Sequence, residues 1–365
     1  MRKKVILFFD NFDPFTNNHL HIANTALKEV NGDVLKLSPN KNYPAKRLSP
    51  FKDRLNMVEL GFKPSKQIKL GDFHLDFKDK QRLKEYLSDI CNNFELYVLI
   101  NLSTLEIIYQ DLENLEINFL VYLEGNQSFN AMDYPRTKVI SKIDCLEKDI
   151  QMGDYIHLSK KVRDYIIATG LYLKKQIRPY MSPKRYKHTL SVLKTALPMA
   201  KNSKVSKNDI RVACLLHDIA KEYDKVRSRQ IMEKYYPQHL GESERIHHQY
   251  VGEYIAKKRF KITNGDILRS IKYHTSGTSD MSPLAKILYS SDKIEPLRDF
   301  DSTFFIKECI KDIEKGFILV LEDNLKYIIR KSVNNVNEDT RLAMEQYLKG
   351  EDIYEQIIEK YCQNN

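Results

Sequence analysis

Short, almost unbroken apolar runs separated by helix-like stretches dominate the first 140 residues. Residues 5–9, 34–37, 97–100, 119–123 and 139–141 read as strands. Continuous rather than alternating apolar character predicts a parallel sheet covered on both faces by crossover helices. Between the second and third runs, Ser49 as N-cap and Pro50 at the first helical position precede Phe51, Leu55, Val58 and Phe62 at helical spacing, which predicts a helix. After about Tyr172 the β-branched runs vanish and apolar residues recur at three and four, the mark of consecutive helices. A basic stretch, 174–187, holds Pro179 and Pro183 and separates the two patterns. The expectation is an α/β domain over 1–172, an all-α domain over 173–335 and a helical extension over 336–365.

A chain of 365 residues exceeds what one core usually serves, and 42% hydrophobic with 30% charged residues excludes a mostly disordered or collagenous chain. Lys and Arg number 59 against 49 Asp and Glu, a net charge of +10. That balance suits acidic partners, but the charges lie in short mixed runs, so a solvated surface is read in preference to a nucleic-acid patch. The five cysteines, Cys91, Cys145, Cys214, Cys309 and Cys362, include no CxxC pair. Neither a disulfide framework nor a zinc ribbon is indicated, and a reducing cytoplasm is expected. The apolar run after Met1-Arg2-Lys3-Lys4 ends at Asp10, short of the roughly 7 to 15 residues of a secretory h-region. No stretch approaches the roughly 20 apolar residues of a membrane span, so no membrane partner is expected.

Six residues of the second half carry candidate chemistry: His188, the pair His217-Asp218, His248, His274 and Asp292. His188 shares a helical face with Val192, Ala196 and Met199, and Asp292 with Leu284 and Leu288, while His217-Asp218 interrupts the apolar stretch 212–220. Imidazoles and carboxylates aimed at a core are costly unless paired or bound to metal. Any one histidine alone reads as a core residue satisfied by a carbonyl; the set reads as ligands. Four His and two Asp suffice for two divalent transition-metal ions sharing a carboxylate, an arrangement suited to phosphoester or phosphoanhydride hydrolysis.

These residues also carry a resemblance. His188, then His217-Asp218-Ile219-Ala220-Lys221, His248-Gln249-Tyr250-Val251-Gly252, Tyr273-His274-Thr275-Ser276-Gly277 and Ser291-Asp292-Lys293-Ile294-Glu295-Pro296 with Arg298 resemble the YqeK-type HD-domain hydrolases over roughly 174–335. The resemblance implies symmetrical cleavage of diadenosine tetraphosphate into two ADP at a di-iron-type site, with manganese or other ions as alternatives. It further implies His188, His217, Asp218 and Asp292 at one metal, His248 and His274 at the second, and Asp218 bridging. His248 rather than its neighbour His247 is selected because the family's histidine lies four residues before the glycine, here Gly252. Asp218, Lys221 and Arg298 are taken as catalytic, the two cations offsetting polyphosphate charge; Lys293 is weighed for the same role, and Thr275 and Gly277 are given none.

The segment Phe12-Asp13-Pro14-Phe15-Thr16-Asn17-Asn18-His19-Leu20 is similar to the nucleotidyltransferase signature at a helix N-terminus, where free N–H groups receive phosphates. Pro39-Asn40-Lys41 through Pro44 and Lys46, Arg54-Leu55-Asn56-Met57 and the stretch 162–172 resemble nicotinate mononucleotide adenylyltransferases in particular. This implies a Rossmann-like nucleotidyltransferase fold, ATP with Mg²⁺ and nicotinate mononucleotide as ligands, and Thr16, His19, Lys46 and Ser141 as nucleotide-binding residues. The sequence departs from the pattern at Phe9, Asp10 and Asn18, where the family has glycine, and within 140–146, where its phosphate-stabilising arginine is missing. Backbone approach to a phosphate is hindered there and Asp10 adds negative charge. A retained fold without catalysis, acting as a nucleotide-binding module, is therefore weighed beside a bifunctional enzyme of NAD biosynthesis. An oligomer is compatible with either.

Overall fold

The computed structural model describes residues 2–44, 46–144, 147–331 and 336–348. Contacts divide the chain after Tyr165 into two compact units. The first contains β1 (Lys4–Asp10), α1 (Asn17–Val30), β2 (Val34–Pro39), α2 (Phe51–Gly61), β3 (Ile68–Leu70), α3 (Lys80–Asn93), β4 (Glu95–Asn101), α4 (Leu102–Leu112), β5 (Ile117–Glu124), β6 (Thr137–Ile143) and α5 (Glu147–Gln151); α6 (Lys160–Thr169) runs across the division.

All strand pairs are parallel, in the order β3-β2-β1-β4-β5-β6. This is a Rossmann-like doubly wound sheet whose order reverses between β1 and β4. β1 is central, which is why residues 5–10 are buried on both faces. Each of the five expected strands is present, and β3 and α3 are additions that no apolar run had marked. The helix expected from Ser49 starts one residue later. Pro50 is its N-cap without a side-chain cap bond, while Ser49 directs its N–H to Asp13 Oδ2 and its carbonyl to Arg54.

The second unit is helical: α7 (Leu173–Ile177), α8 (Pro183–Ala196), α9 (Ala200–Ser203), α10 (Lys207–Leu216), α11 (Lys225–Tyr235), α12 (Glu244–Lys258), α13 (Gly265–Lys272), α14 (Pro283–Ile294), α15 (Thr303–Lys311), α16 (Ile313–Lys331) and α17 (Glu338–Tyr347). Its core runs through Val192, Val212, Leu216, Val251, Ile271, Ile287 and Phe317, all fully buried. Helix starts follow capping chemistry: Ser182 with Pro183 opens α8 and Ser282 with Pro283 opens α14, each serine accepting an N–H of the first turn. Among the described residues no helix is long and apolar enough to cross a membrane. Cys91, Cys214 and Cys309 are free; Cys145, Leu146, Cys362 and residues 349–365 of the expected extension lie outside the described residues.

Candidate metal centre

Five helices deliver the six candidate side chains. His188 lies on α8, His248 on α12 and Asp292 on α14; His217 is the C-cap of α10 with Asp218 next, and His274 follows the C-cap of α13. His217 and His274 are inaccessible, and Asp218, His248 and Asp292 are buried.

The structure brings all six together around Asp218. Its Oδ2 lies 3.5 Å from His217 Nε2 and 3.6 Å from His188 Nε2. Its Oδ1 lies 3.3 Å from His248 Nε2 and 3.6 Å from His274 Nε2. Asp292 Oδ1 joins the first pair, 3.2 Å from His188 Nε2 and 3.9 Å from His217 Nε2. Ligand atoms of His188, His217 and Asp218 lie within 4.8 Å of one another, and so do those of Asp218, His248 and His274. His247 is not part of either group, although it neighbours His248.

Hydrogen bonding fixes which ring nitrogen faces inward. Nδ1 of His217, His248 and His274 sits 2.7, 2.9 and 2.8 Å from the carbonyls of Cys214, Arg245 and Ile271. A carbonyl only accepts, so each Nδ1 carries the hydrogen and each neutral ring turns an Nε2 lone pair to the centre. His188 Nδ1 likewise meets an acceptor, Glu295 Oε1 at 3.0 Å. Nε2 of both His188 and His217 is buried without a hydrogen-bond partner. Orphaned lone pairs beside two carboxylates are the donor set that divalent transition metals take up, and the second partners on Nδ1 orient it.

Burial lowers the pKa of His217, of His248 and of His274, the last to about 4, so these imidazoles are neutral at pH 7. For His188 burial is outweighed by Asp292, Asp218 and Glu295, and its pKa rises. Burial opposes ionisation of Asp218, yet its carboxyl lies well below the usual range. Asp292 is held low against its burial by Lys293 first, then by His188, His217 and Arg298. Lys293 Nζ reaches Asp292 Oδ2 at 2.9 Å, and Arg298 Nη2 donates to Asp292 Oδ1 at 2.9 Å and to its carbonyl at 2.6 Å. Lys221 Nζ lies 3.3 Å from both ring nitrogens of His248. The expected cations therefore ring the site.

Four features escaped the sequence reading. Arg185 Nη1 donates to Asp218 Oδ2 at 2.6 Å; its sole signal was a position three residues before His188. Glu295 was quoted within a motif but given no role. Gln249 fastens the His274 loop to α12, its Oε1 accepting N–H of Thr275 and Ser276, both at 3.2 Å. Thr275, assigned no chemistry, places Oγ1 3.2 and 3.1 Å from Nε2 of His248 and His274. The same loop is held from outside by α17: Thr340 Oγ1 donates to the Ser276 carbonyl at 2.8 Å.

In the N-terminal unit, Asp10 ends β1 and Asn101 ends β4, so the crevice at the order reversal lies between them. Its lining includes Thr16, His19 and Lys46 together with Asp10, Asp13, Glu124, Asp144 and Glu147, but not Ser141, which stands on β6. The donors expected to meet phosphate are spent internally. Phe12 N–H donates to Asp10 Oδ1 at 3.2 Å, Thr16 N–H to His19 Nδ1 at 2.9 Å and Asn17 N–H to the His157 carbonyl at 2.9 Å. Lys46 pairs with Glu147. Burial, then Glu124, raises the Asp10 carboxyl to about 7, and burial lowers His19 to about 3.

Against known families, residues 7–120 match the cytidylyltransferase-like model and residues 185–297 match the HD domain. The chain is a cytidylyltransferase-like domain followed by an HD domain. It is 28% identical over 318 residues to a probable nicotinate-nucleotide adenylyltransferase/Ap4A hydrolase of Mycoplasma genitalium, covering 82% of this chain and 89% of that protein. A protein of the same description from Mycoplasma pneumoniae is 25% identical over 347 residues, covering 87% and 98%. A symmetrical bis(5'-nucleosyl)-tetraphosphatase of Bacillus subtilis is 28% identical over 159 residues, 43% of this chain and 86% of that protein. The order of the two domains is thus shared with the fused relatives, and the helical unit carries the HD domain.

Proposed function

We propose that the HD domain hydrolyses dinucleoside polyphosphates and cleaves diadenosine tetraphosphate symmetrically into two ADP. The observation that carries this reading is the division of Asp218, whose two oxygens face separate histidine pairs, as the oxygens of a carboxylate shared by two cations can. We assign His188, His217, Asp218 and Asp292 to one ion and His248 and His274, with Asp218, to the second. Iron is the first choice, with manganese or another divalent transition metal as alternatives. Bound there, the ions would supply Lewis acidity and lower the pKa of water. The chain contributes neutral imidazoles with fixed tautomers, two carboxylates kept ionised, and the cations Lys221 and Arg298 to offset polyphosphate charge, Arg298 through paired donors. Similarity to symmetrical tetraphosphatases supports the substrate class. We place the hydrolase in residues 173–335, with 336–365 as an extension.

The test is product analysis. Metal-loaded full-length protein supplied with diadenosine tetraphosphate is expected to release ADP alone, resolved by anion-exchange chromatography. AMP together with ATP, or undiminished turnover by Asp218→Ala, would overturn the assignment.

For the first domain the bifunctional reading would use ATP, Mg²⁺ and nicotinate mononucleotide at Thr16, His19, Lys46 and Ser141. Its pocket supports the other reading, a retained fold without adenylyl transfer, because carboxylates line it and the N–H groups of Phe12, Thr16 and Asn17 are occupied. Nicotinate mononucleotide with ATP and Mg²⁺ should then give no dinucleotide, and His19→Ala should leave hydrolysis unchanged. Robust dinucleotide synthesis abolished by His19→Ala would establish the bifunctional enzyme.

A further inference from the structure

Arg185 stands against the carboxylate at the middle of the site. It precedes His188 by three residues on α8 and so shares its face. Its Nη1 is 2.6 Å from Asp218 Oδ2, nearer than either histidine nitrogen that faces the same oxygen. The side chain is 27% exposed where that of Asp218 is 4% exposed, so the guanidinium spans from the solvent side to the centre. Its Nε is buried and has no hydrogen-bond partner. A rigid donor fork with a buried, unspent N–H is an incomplete contact, and such a group is costly unless something completes it.

The charges indicate what completes it. Asp218 is a buried carboxylate in direct contact with the Arg185 guanidinium. Once divalent ions are held on both faces of the carboxylate, Oδ2 is shared and the guanidinium faces a like charge across it, which weakens its hold. A planar fork released beside Lys221, Lys293 and Arg298 suits a tetrahedral phosphate, which it engages through two parallel bonds.

We infer that Arg185 is a substrate-binding residue of the hydrolase, neutralising Asp218 in the metal-free protein and passing its fork to a polyphosphate oxygen when the ions are bound. The inference rests on the reading of the HD domain proposed above. It predicts opposite effects of one substitution: removing Arg185 removes a competitor for Asp218 and strengthens metal binding, yet weakens binding of a polyphosphate. A residue that only positioned Asp218 would weaken both together.

The experiment uses full-length wild type, Arg185→Ala and Arg185→Lys, with folding checked by circular dichroism. Mn²⁺ is titrated into metal-free protein by calorimetry, and inorganic pyrophosphate into the Mn²⁺-loaded protein. Expected for Arg185→Ala are tighter Mn²⁺ binding and pyrophosphate binding weakened roughly tenfold or more. Arg185→Lys, which keeps the charge without the fork, should leave Mn²⁺ binding near wild type and lose part of the pyrophosphate affinity. Loss of Mn²⁺ affinity in Arg185→Ala, or unchanged pyrophosphate binding in either variant, would overturn the inference. Should Arg185→Ala not fold, Arg185→Lys alone decides by the pyrophosphate titration. Arg185-dependent pyrophosphate binding without turnover of diadenosine tetraphosphate by wild type would sink the substrate reading and uphold Arg185.

Discussion

The Nε2 atoms of His248 and His274 lie 3.3 Å apart, each ring having committed its other nitrogen to a main-chain carbonyl. Two lone pairs at that separation repel unless a cation or a donor lies between them, and the donors in reach are the Thr275 hydroxyl and, for His248, Lys221 Nζ. Metal content should therefore respond unevenly to substitution. His248→Ala or His274→Ala is expected to leave about one ion per chain by elemental analysis and to regain part of its activity in excess Mn²⁺. Asp218→Ala, which touches both groups, should lose both ions and not be rescued.

Glu295 is 1% exposed and holds His188 through Nδ1. Removing such a partner commonly costs roughly 10- to 100-fold in metal affinity. Glu295→Ala should weaken Mn²⁺ binding on that scale in a calorimetric titration. Glu295→Gln, which retains an acceptor oxygen, should lie between that and wild type.

Arg54 is fully buried and ties three loop carbonyls together, those of Asn11 at 2.7 Å, Ser49 at 3.0 Å and Lys41 at 3.1 Å. Replacement by Met would strand these acceptors in the interior. A loss of roughly 3–5 kcal/mol is expected for the N-terminal unit in urea unfolding, with the hydrolase rate unchanged.

Asp10 sets a pH dependence whose sign follows from its raised pKa. Its carboxyl titrates near 7 in the folded unit against 3.8 ordinarily, so the folded form keeps a proton that the unfolded chain has released. The stability this contributes is complete below about pH 4 and is lost as pH rises through 7. Asp10→Asn should flatten that slope and exceed wild type at pH 8 by at most about 4 kcal/mol. Thermal melts from pH 4 to 8 would show it; parallel curves for the two proteins would contradict it.

The sequence was legible where apolar runs were long or motifs were ordered. All five apolar runs became strands of one sheet; the runs in β1, β4 and β5 are largely buried, whereas β6 at the sheet edge holds no buried residue and was marked by its β-branched pair alone. Ile68–Leu70 is only three residues long and alternates with an exposed lysine, so its pairing with β2 left no such run. His188 and Asp292 stood out because they lie on otherwise apolar helical faces and His217-Asp218 because it interrupts an apolar stretch, while His248 and His274 were marked by motif alone. Arg185 and Gln249 were not, since a polar residue on a half-exposed helix looks like surface until the carboxylate or loop it meets is in place. Ser49 misled for a related reason: a serine before Pro50 has the chemistry of a cap, but its N–H is claimed by Asp13, 36 residues away.

Thr340 is bonded to Ser276 across 64 residues of chain, through a buried hydroxyl. During synthesis the His274 loop therefore leaves the ribosome long before the helix that braces it. The turn after His274 thus gains its outer brace only when a segment 64 residues further along the chain has been made.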